Sequence, residues 1–292
     1  MELKEIRRKI ESVSNIRKLT GALETLSALK MKKSQKFVMD SRPFAQKVGH
    51  LLQHLEPVLK AQKDVFLRQD EVKKILAVVI ASDRGFCGPF NQNVARLADA
   101  KIKKLKEEGE VEIFSVGKKS TANFKKKKEK IGKSFFGIGD YGEIEEVKPI
   151  SDYIIRAFIE REYQKVYIIW TDFLSTFSQK PRMIQLLPLD GESLKEFFKG
   201  AIEEKHVAEP LVEPSLGIVA REIIPQLVEY LIYQCILESN ASEHSARMVA
   251  MRNASDNAKK RVSELMLDYN KARQEMITRE VTEISSAKEV LE

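Results

Sequence analysis

The chain has 292 residues, of which 43% are hydrophobic and 32% are charged, so it can form a core beneath a strongly charged surface. Its 50 Lys and Arg exceed its 43 Asp and Glu by only seven, which indicates a mixed-charge surface more than a nucleic-acid binder. Cys87 and Cys235 lie far apart and predict no disulfide framework, and no stretch approaches the roughly 20 apolar residues of a membrane span.

The first long element, in a predicted N-terminal segment of residues 1–58, is an amphipathic helix from residue 2 to about residue 55. No proline precedes Pro43, and Gly21 is the only glycine before Gly49. The apolar residues recur every three or four positions, as a single helical stripe does. The stripe consists of Leu3, Ile6, Ile10, Val13, Ile16, Leu19, Leu23, Leu26 and Leu29.

The middle of the chain, residues 72–205, predicts a small α/β domain. Four apolar runs are typical of buried strands, and helical stretches separate the first three. Alternation of strand and helix favours a largely parallel sheet. The predicted strands are 74–82, 111–117, 165–173 and 182–189, and the predicted helices are 90–107, 118–130 and 151–162.

The C-terminal region, residues 210–292, predicts a second and longer helix. It has no glycine beyond Ile218, and its only proline there, Pro225, lies near the start, where proline is tolerated. Steps of three and four keep a seven-residue repeat, which is typical of a coiled-coil seam. The seam consists of Met248, Met251, Ser255, Ala258, Val262, Leu265, Tyr269, Ala272 and Met276.

Two helices of this length cannot be buried in the middle domain. At 1.5 Å per residue they would measure roughly 80 Å and 105 Å, far more than the ~30 Å diameter of a small domain. They are expected to project from it as an antiparallel coiled coil, each covering the stripe of the other. The predicted fold is therefore a long helix pair with a small Rossmann-like α/β domain inserted between its two helices, an arrangement suited to a lever, tether or shaft.

Two segments resemble phosphate-binding loops only superficially. Residues 131–134, IGKS, lack the required earlier glycine, because Lys127 occupies that position, so a surface turn is favoured. Residues 82–88, SDRGFCG, follow a strand but lack the spacing of a nucleotide-binding loop and place no His near Cys87. A tight structural turn is the favoured interpretation of that segment.

The remaining polar clusters favour ordinary surface roles. His50 and His54 share a helix face but lack the neighbouring Glu of a zinc protease, and His206 and His244 are isolated in the sequence. A lysine-rich helix and loop around Phe124 leaves nucleic-acid or lipid contact open but favours solvation. Its lysines are Lys118, Lys119, Lys125, Lys126, Lys127, Lys128, Lys130 and Lys133.

Both ends of the chain resemble one known family. Residues 6–35, 41–48 and 82–91 are similar to the first helix and the signature turn of the gamma subunit of F-type ATP synthases, although Pro89 replaces a small residue there. Residues 242–258 and 269–284 resemble that family's C-terminal helix closely. The resemblance spans nearly the whole chain and is weakest at 118–160 and 190–215.

The resemblance implies a mechanical, non-catalytic subunit with no cofactor, no metal and no nucleic acid. The helices would form a shaft inside a hexamer of three alpha and three beta subunits, and the α/β domain would join the epsilon subunit and the ring of c subunits. Four positions are implied to contact the beta subunits: Leu23, Arg247, Gln274 and Thr278. A guanidinium suits carboxylates on a moving loop, and Gln274 and Thr278 share a helix face.

The expected function is the transmission of torque between proton flow and ATP synthesis. The expected location is peripheral, on the cytoplasmic side of a bacterial plasma membrane, since the resemblance begins at the first residues without a leader. Proline at Leu265 is expected to kink the shaft and uncouple it, whereas the tip, 279–292, should matter less. Two alternatives remain: a coiled-coil scaffold with an α/β binding module, and a nucleotide-using enzyme with its site in residues 72–205.

Overall fold

The computed structural model describes residues 3–61, 65–68, 70–141, 143–190, 193, 197 and 216–291, with side chains except at 42, 44–46, 48–61, 216–221 and 287–291. Helix α1 spans Leu3–Ala61, 59 residues, and helix α5 spans Leu216–Leu291, 76 residues. The chain divides into two compact units. We call Met1–Ser27 with Arg247–Glu292 the helical unit, and Ala28–Ala246 the α/β unit.

The α/β unit is built on a five-stranded sheet in the order β3-β2-β1-β4-β5. Strands β1 to β4 run parallel, and β5 returns antiparallel to β4 at the edge. Central strand β1 is buried at every position after its first, as expected for a sheet covered on both faces. The strands are β1 Lys74–Ile80, β2 Glu110–Val116, β3 Ile131–Phe135, β4 Lys165–Ser175 and β5 Ser178–Leu187.

Helices cover both faces of the sheet. One face packs against α2, Phe90–Leu105, and α3, Lys118–Lys126, through Val94, Ile102 and Phe124. The other face packs against α4, Ile144–Ile159, and the early turns of α5, through residues such as Ile150 and Leu231. The sequence placed the C-terminal helix outside the α/β domain. In the structure, its apolar residues between 224 and 236 supply part of the domain's core.

Within the α/β unit, α1 and α5 lie side by side. Ser41 Oγ donates to Gln234 Oε1 at 2.6 Å, and Tyr230 Oη donates to the Ser41 carbonyl at 2.5 Å. Val38 packs with Phe173, Leu237 and Ala241 in a small separate cluster. Val38 contacts residues of α5 that come later in the chain than the partners of Ser41. Residue numbers therefore rise along α1 as they fall along α5, and the two helices run antiparallel.

The observed elements confirm the predicted strand–helix alternation and correct it at two places. The segment IGKS is not a surface turn, because residues 131–134 form most of edge strand β3. Helix α4 begins at Ile144, seven residues earlier than predicted, with a capping box between Glu143 and Glu146. Pro149 lies inside this helix. The predicted domain boundaries at 58, 72, 205 and 210 stay a prediction.

Candidate functional site

In the helical unit, burial follows one seam along each helix. On α5, Met251, Ala258 and Leu265 are buried, and Val262, Tyr269 and Ala272 are half-buried, as the heptad repeat predicts. Met276 is 43% exposed, so the buried seam ends at Ala272, one step earlier than predicted. The seam of α1 has the same seven-residue spacing. It passes through Ile6, Ile10, Val13, Arg17, Thr20, Glu24 and Ser27.

The seam of α1 differs from the predicted apolar stripe. Ile16, Leu19 and Leu26 are 51%, 61% and 47% exposed, while Thr20 and Ser27 are buried. In the α/β unit, Leu29 is likewise exposed and Ser34 is buried. Ile16, Leu19, Leu26 and Leu29 therefore lie off the seam.

Small side chains explain why Thr20 and Ser27, and not Leu19 and Leu26, lie in the seam of α1. A Cβ built on Gly21 would lie 3.9 Å from Ser255 Oγ, so α1 and α5 are in van der Waals reach of each other at this level. The buried hydroxyls are satisfied within their own helix, since Thr20 Oγ1 donates to the Ile16 carbonyl at 3.0 Å and Ser27 Oγ to the Leu23 carbonyl at 2.7 Å. Short hydroxyl side chains thus fill a narrow interface that leucine would widen.

The outward faces of both helices carry large apolar side chains. On α1 these are the exposed Ile16, Leu19 and Leu26. On α5, Met266 and Leu267 are 54% and 72% exposed beside the seam, and Met276, Ile277, Val281 and Ile284, beyond its buried part, are between 43% and 71% exposed. Scattered apolar residues are common on surfaces, but a succession along both helices is typical of a surface that another protein covers.

Two of the four expected contact residues lie within two helical turns of each other along the helix pair. Leu23 and Arg247 are both half-buried. Gly21 marks the level of Ser255, and Arg247 lies eight residues before Ser255 on an antiparallel helix. Arg247 therefore stands six residues from Leu23 along the axis, which is about 9 Å.

The other two expected contact residues lie near the beginning of α1. Gln274 and Thr278 are exposed on α5, beyond Ala272, the last half-buried seam residue. Thr278 Oγ1 donates to the Gln274 carbonyl at 3.0 Å, which fixes the hydroxyl proton and leaves its lone pairs as acceptors. The amide of Gln274 provides both donors and an acceptor, so the pair forms an uncharged polar surface. These two residues lie roughly 30 Å along the axis from Leu23.

The turn at residues 82–88 is held by its own side chains. Ser82 Oγ donates to the Arg84 carbonyl at 2.6 Å, and Asn91 Nδ2 donates to Cys87 Sγ at 3.1 Å. Asp83 accepts backbone N–H groups of Lys118 and Gly137 at 2.8 Å and 2.7 Å. These bonds tie the ends of β1, β2 and β3 together, in agreement with the structural turn that the sequence favours.

A cavity of about 220 Å³ lies at this edge of the sheet. Its lining includes Asp83, Asp140 and Glu243, together with Arg84 and His244. Three carboxylates in this lining repel phosphate groups. Gly117, which also lines the cavity, packs directly against the end of β1, since a Cβ on it would lie 2.0 Å from the Ala81 carbonyl oxygen. The cavity therefore does not favour the nucleotide-using alternative.

The lysine cluster lies on α3 and the exposed loop after it, except Lys133, which lies on β3. Phe124 is buried beneath it, so it offers no aromatic platform. Lys127 pairs with Asp99, and Lys130 pairs with Glu110 and Glu112. The side chains of His50 and His54, and the whole of His206, lie outside the described residues.

His244 is not isolated in space. It is buried and meets Asp140, which Lys30 also contacts. This cluster escapes sequence reasoning because 104 residues separate Asp140 from His244.

None of the described helices combines the length and hydropathy needed to cross a bilayer. Over the described residues there is also no group of three His, Cys, Asp or Glu side chains placed to hold a metal ion.

Comparisons with known sequences identify relatives of the whole chain. A family model described as ATP synthase matches residues 2–291. The ATP synthase gamma chain of Xanthomonas axonopodis pv. citri is 38% identical over 285 residues, which cover 97% of each chain. The ATP synthase gamma chain of Cupriavidus pinatubonensis is 38% identical over 286 residues, again covering 97% of each chain.

Solved structures share the fold. The central stalk and c-ring structure of the Tetrahymena thermophila mitochondrial ATP synthase includes a chain with 25% identity and a TM-score of 0.62, and the match covers 81% of this chain and 99% of that one. A chain of the Euglena gracilis mitochondrial ATP synthase in rotational state 3 has 18% identity and a TM-score of 0.67, covering 99% of this chain and 94% of that one. The family model and the two bacterial relatives show that this chain belongs to the ATP synthase gamma chain family.

Proposed function

We propose that this chain is the central rotor stalk of an F-type ATP synthase. In this role the paired helices turn inside a hexamer of three alpha and three beta subunits, while the α/β unit joins the epsilon subunit and the c-subunit ring. The chain carries torque and performs no covalent chemistry. It works as a peripheral protein on the cytoplasmic side of a bacterial plasma membrane.

The observation that carries this proposal is the pair of helices with apolar side chains on their outward faces. A coiled coil that works alone keeps its leucines in the seam and presents charged residues outside. Here Leu19 and Leu26 point outward and Thr20 and Ser27 occupy the seam. A surrounding sleeve of partner subunits would cover those leucines while leaving the pair free to turn.

The proposed mechanism follows from symmetry. A pair of helices has no threefold symmetry, so at any moment it presents a different side to each of three identical partners. Leu23 and Arg247, about 9 Å apart along the axis, and Gln274 with Thr278 nearer the beginning of α1, are the proposed contacts with the beta subunits. The conformation of each beta subunit then depends on the angle of the stalk, which is a coupling free energy between distant sites.

The first test is assembly with defined stoichiometry. The chain is purified with alpha and beta subunits of a bacterial relative, and the complex is analysed by native mass spectrometry. One copy with three alpha–beta pairs is expected. Self-association of this chain, without uptake into the hexamer, would instead support the coiled-coil scaffold.

The second test addresses the outward leucines. Leu19→Lys is expected to weaken assembly by about tenfold or more, because a charge would be placed against an apolar sleeve at a cost of at least ~1.4 kcal/mol. Lys18→Ala, at an exposed neighbouring position on α1, is the matched control and should leave assembly unchanged. Equal assembly of both variants with the hexamer would contradict the proposed sleeve contact.

A further inference from the structure

One loop of the α/β unit contacts both long helices at the same residue. The loop consists of residues 136–141, between β3 and α4, and we call it the tie loop. Lys30 on α1 donates through Nζ to Asp140 Oδ2 at 2.5 Å. His244 on α5 places Nε2 at 3.1 Å from the Asp140 carbonyl oxygen and at 3.7 Å from its Oδ1.

Further contacts join the tie loop to each helix. From α1, Ser34 Oγ donates to the Asp140 carbonyl at 3.2 Å, and Lys33 Nζ lies 3.8 Å from the centre of the Tyr141 ring. From α5, Asn240 Nδ2 donates to the Gly139 carbonyl at 3.1 Å. The tie loop is therefore bound by polar groups of both helices over three consecutive residues.

The other side of the tie loop is fixed to the α/β sheet. Gly137 N–H donates to Asp83 Oδ2 at 2.7 Å, in the turn that follows β1. Gly139 N–H donates to Glu146 Oε2 at 2.9 Å, in the first turn of α4. A force applied to the sheet thus reaches Asp140 through short hydrogen bonds.

The central charge pair is partly shielded from water. The side chain of His244 is 3% exposed and that of Lys30 is 18% exposed, while that of Asp140 is 37% exposed. Burial acts to raise the pKa of the Asp140 carboxyl, but the hydrogen bond and charge of Lys30, together with the charges of His244 and Arg84, outweigh it, so that pKa lies below its ordinary value. Asp140 is consequently ionised at neutral pH, and a shielded pair is stronger than an exposed one.

We propose that the tie loop, anchored by Asp140, locks α1 and α5 to the sheet of the α/β unit and carries torque between the sheet and the two helices; this rests on the proposed function as a rotor. Twisting an antiparallel helix pair makes its two helices slide past each other. A residue bound to both helices resists that sliding, whereas a residue bound to one helix does not. Loss of Asp140 then lets the stalk slip under load without preventing its assembly.

The test uses the complete enzyme in sealed vesicles. Asp140→Asn and, separately, Lys30→Met are compared with the wild-type chain for ATP hydrolysis and for the largest proton gradient that hydrolysis sustains. Both variants are expected to assemble and hydrolyse ATP normally. The proton gradient that they sustain should be about half of the wild-type gradient or smaller, because one partner of a shielded pair is missing. The matched control is Lys32→Met, at an exposed lysine of the same helix.

A charge-exchange variant distinguishes the loss of the Lys30–Asp140 contact from a general loss of stability. Asp140→Lys combined with Lys30→Asp restores the opposite charges and is expected to recover most of the lost gradient, which damage to the fold would not allow. Normal proton gradients from both single variants would contradict the proposed role of the tie loop but not the proposed function as a rotor. If vesicles with the wild-type chain hydrolyse ATP without any proton pumping, the proposed function itself fails.

Discussion

At the residue scale, a buried hydrogen bond fixes α5 to the sheet. Trp170 on β4 is 1% exposed, and its Nε1–H donates to Glu238 Oε2 on α5 at 2.7 Å. The other carboxylate oxygen of Glu238 accepts from Gln234 Nε2 at 3.1 Å. Because the chain contains one tryptophan, its fluorescence reports on the surroundings of Trp170, which include this contact.

Glu238→Ala is expected to lower the free energy of unfolding by about 1–3 kcal/mol, since it leaves the buried indole N–H without an acceptor. Glu238→Gln retains an acceptor oxygen and should cost less. The measurement is urea unfolding of the isolated chain, followed by the emission wavelength of Trp170. Equal unfolding midpoints for the wild-type chain and the alanine variant would mean that this bond contributes nothing to the attachment.

Several residues show where sequence reasoning succeeds and where it stops. Leu265 is predicted in the seam because its heptad is regular, and it is 2% exposed. Leu19 is misplaced because apolar spacing cannot identify the paired face when Thr20 and Ser27 fill the interface. Strand β3 is missed because Gly132 and Lys133 interrupt a five-residue edge strand. The contact of Asp140 with Lys30 is invisible because 110 residues separate them.

At the element scale, the seam gives the helical unit its stability. Leu265 supplies a buried side chain on α5, whereas Leu267, two positions further on, is 72% exposed. The two leucines have the same chemistry and the same helix, so a comparison between them isolates the effect of burial. The helix propensity that each alanine adds is equal at both positions.

Leu265→Ala is expected to destabilise the helical unit by about 2–5 kcal/mol, because it leaves a cavity in the seam. Leu267→Ala should stay within about 0.5 kcal/mol of the wild type. Thermal unfolding of the isolated chain, followed by helical circular dichroism, measures both. A larger loss of stability for Leu267→Ala than for Leu265→Ala would show that the seam is assigned to the wrong face of α5.

At the scale of the whole molecule, the two helices end at different levels. The described residues of α5 from 277 to 286 are all exposed, and the last half-buried seam residue is Ala272. The end of α5 therefore adds little to the stability of the pair. Its importance depends on what surrounds it in the assembled enzyme.

Removing residues 279–292 is expected to preserve both chain stability and ATP-driven proton pumping, because Gln274, Thr278 and the seam remain. Removing residues 266–292 takes away Tyr269, Ala272 and both polar contact residues, and should abolish most pumping. Pumping by inverted vesicles measures the two truncations side by side. Complete loss with the shorter deletion would show that torque is applied at the tip.

Rotation itself is the most direct measurement of the central claim. The hexamer is fixed to a surface, a probe is attached to an exposed residue of the α/β unit, and the probe is followed during ATP hydrolysis. The proposed rotor predicts rotation in one direction with pauses at three evenly spaced angles, one for each beta subunit. A complex that hydrolyses ATP while the probe shows no directed rotation would contradict the account.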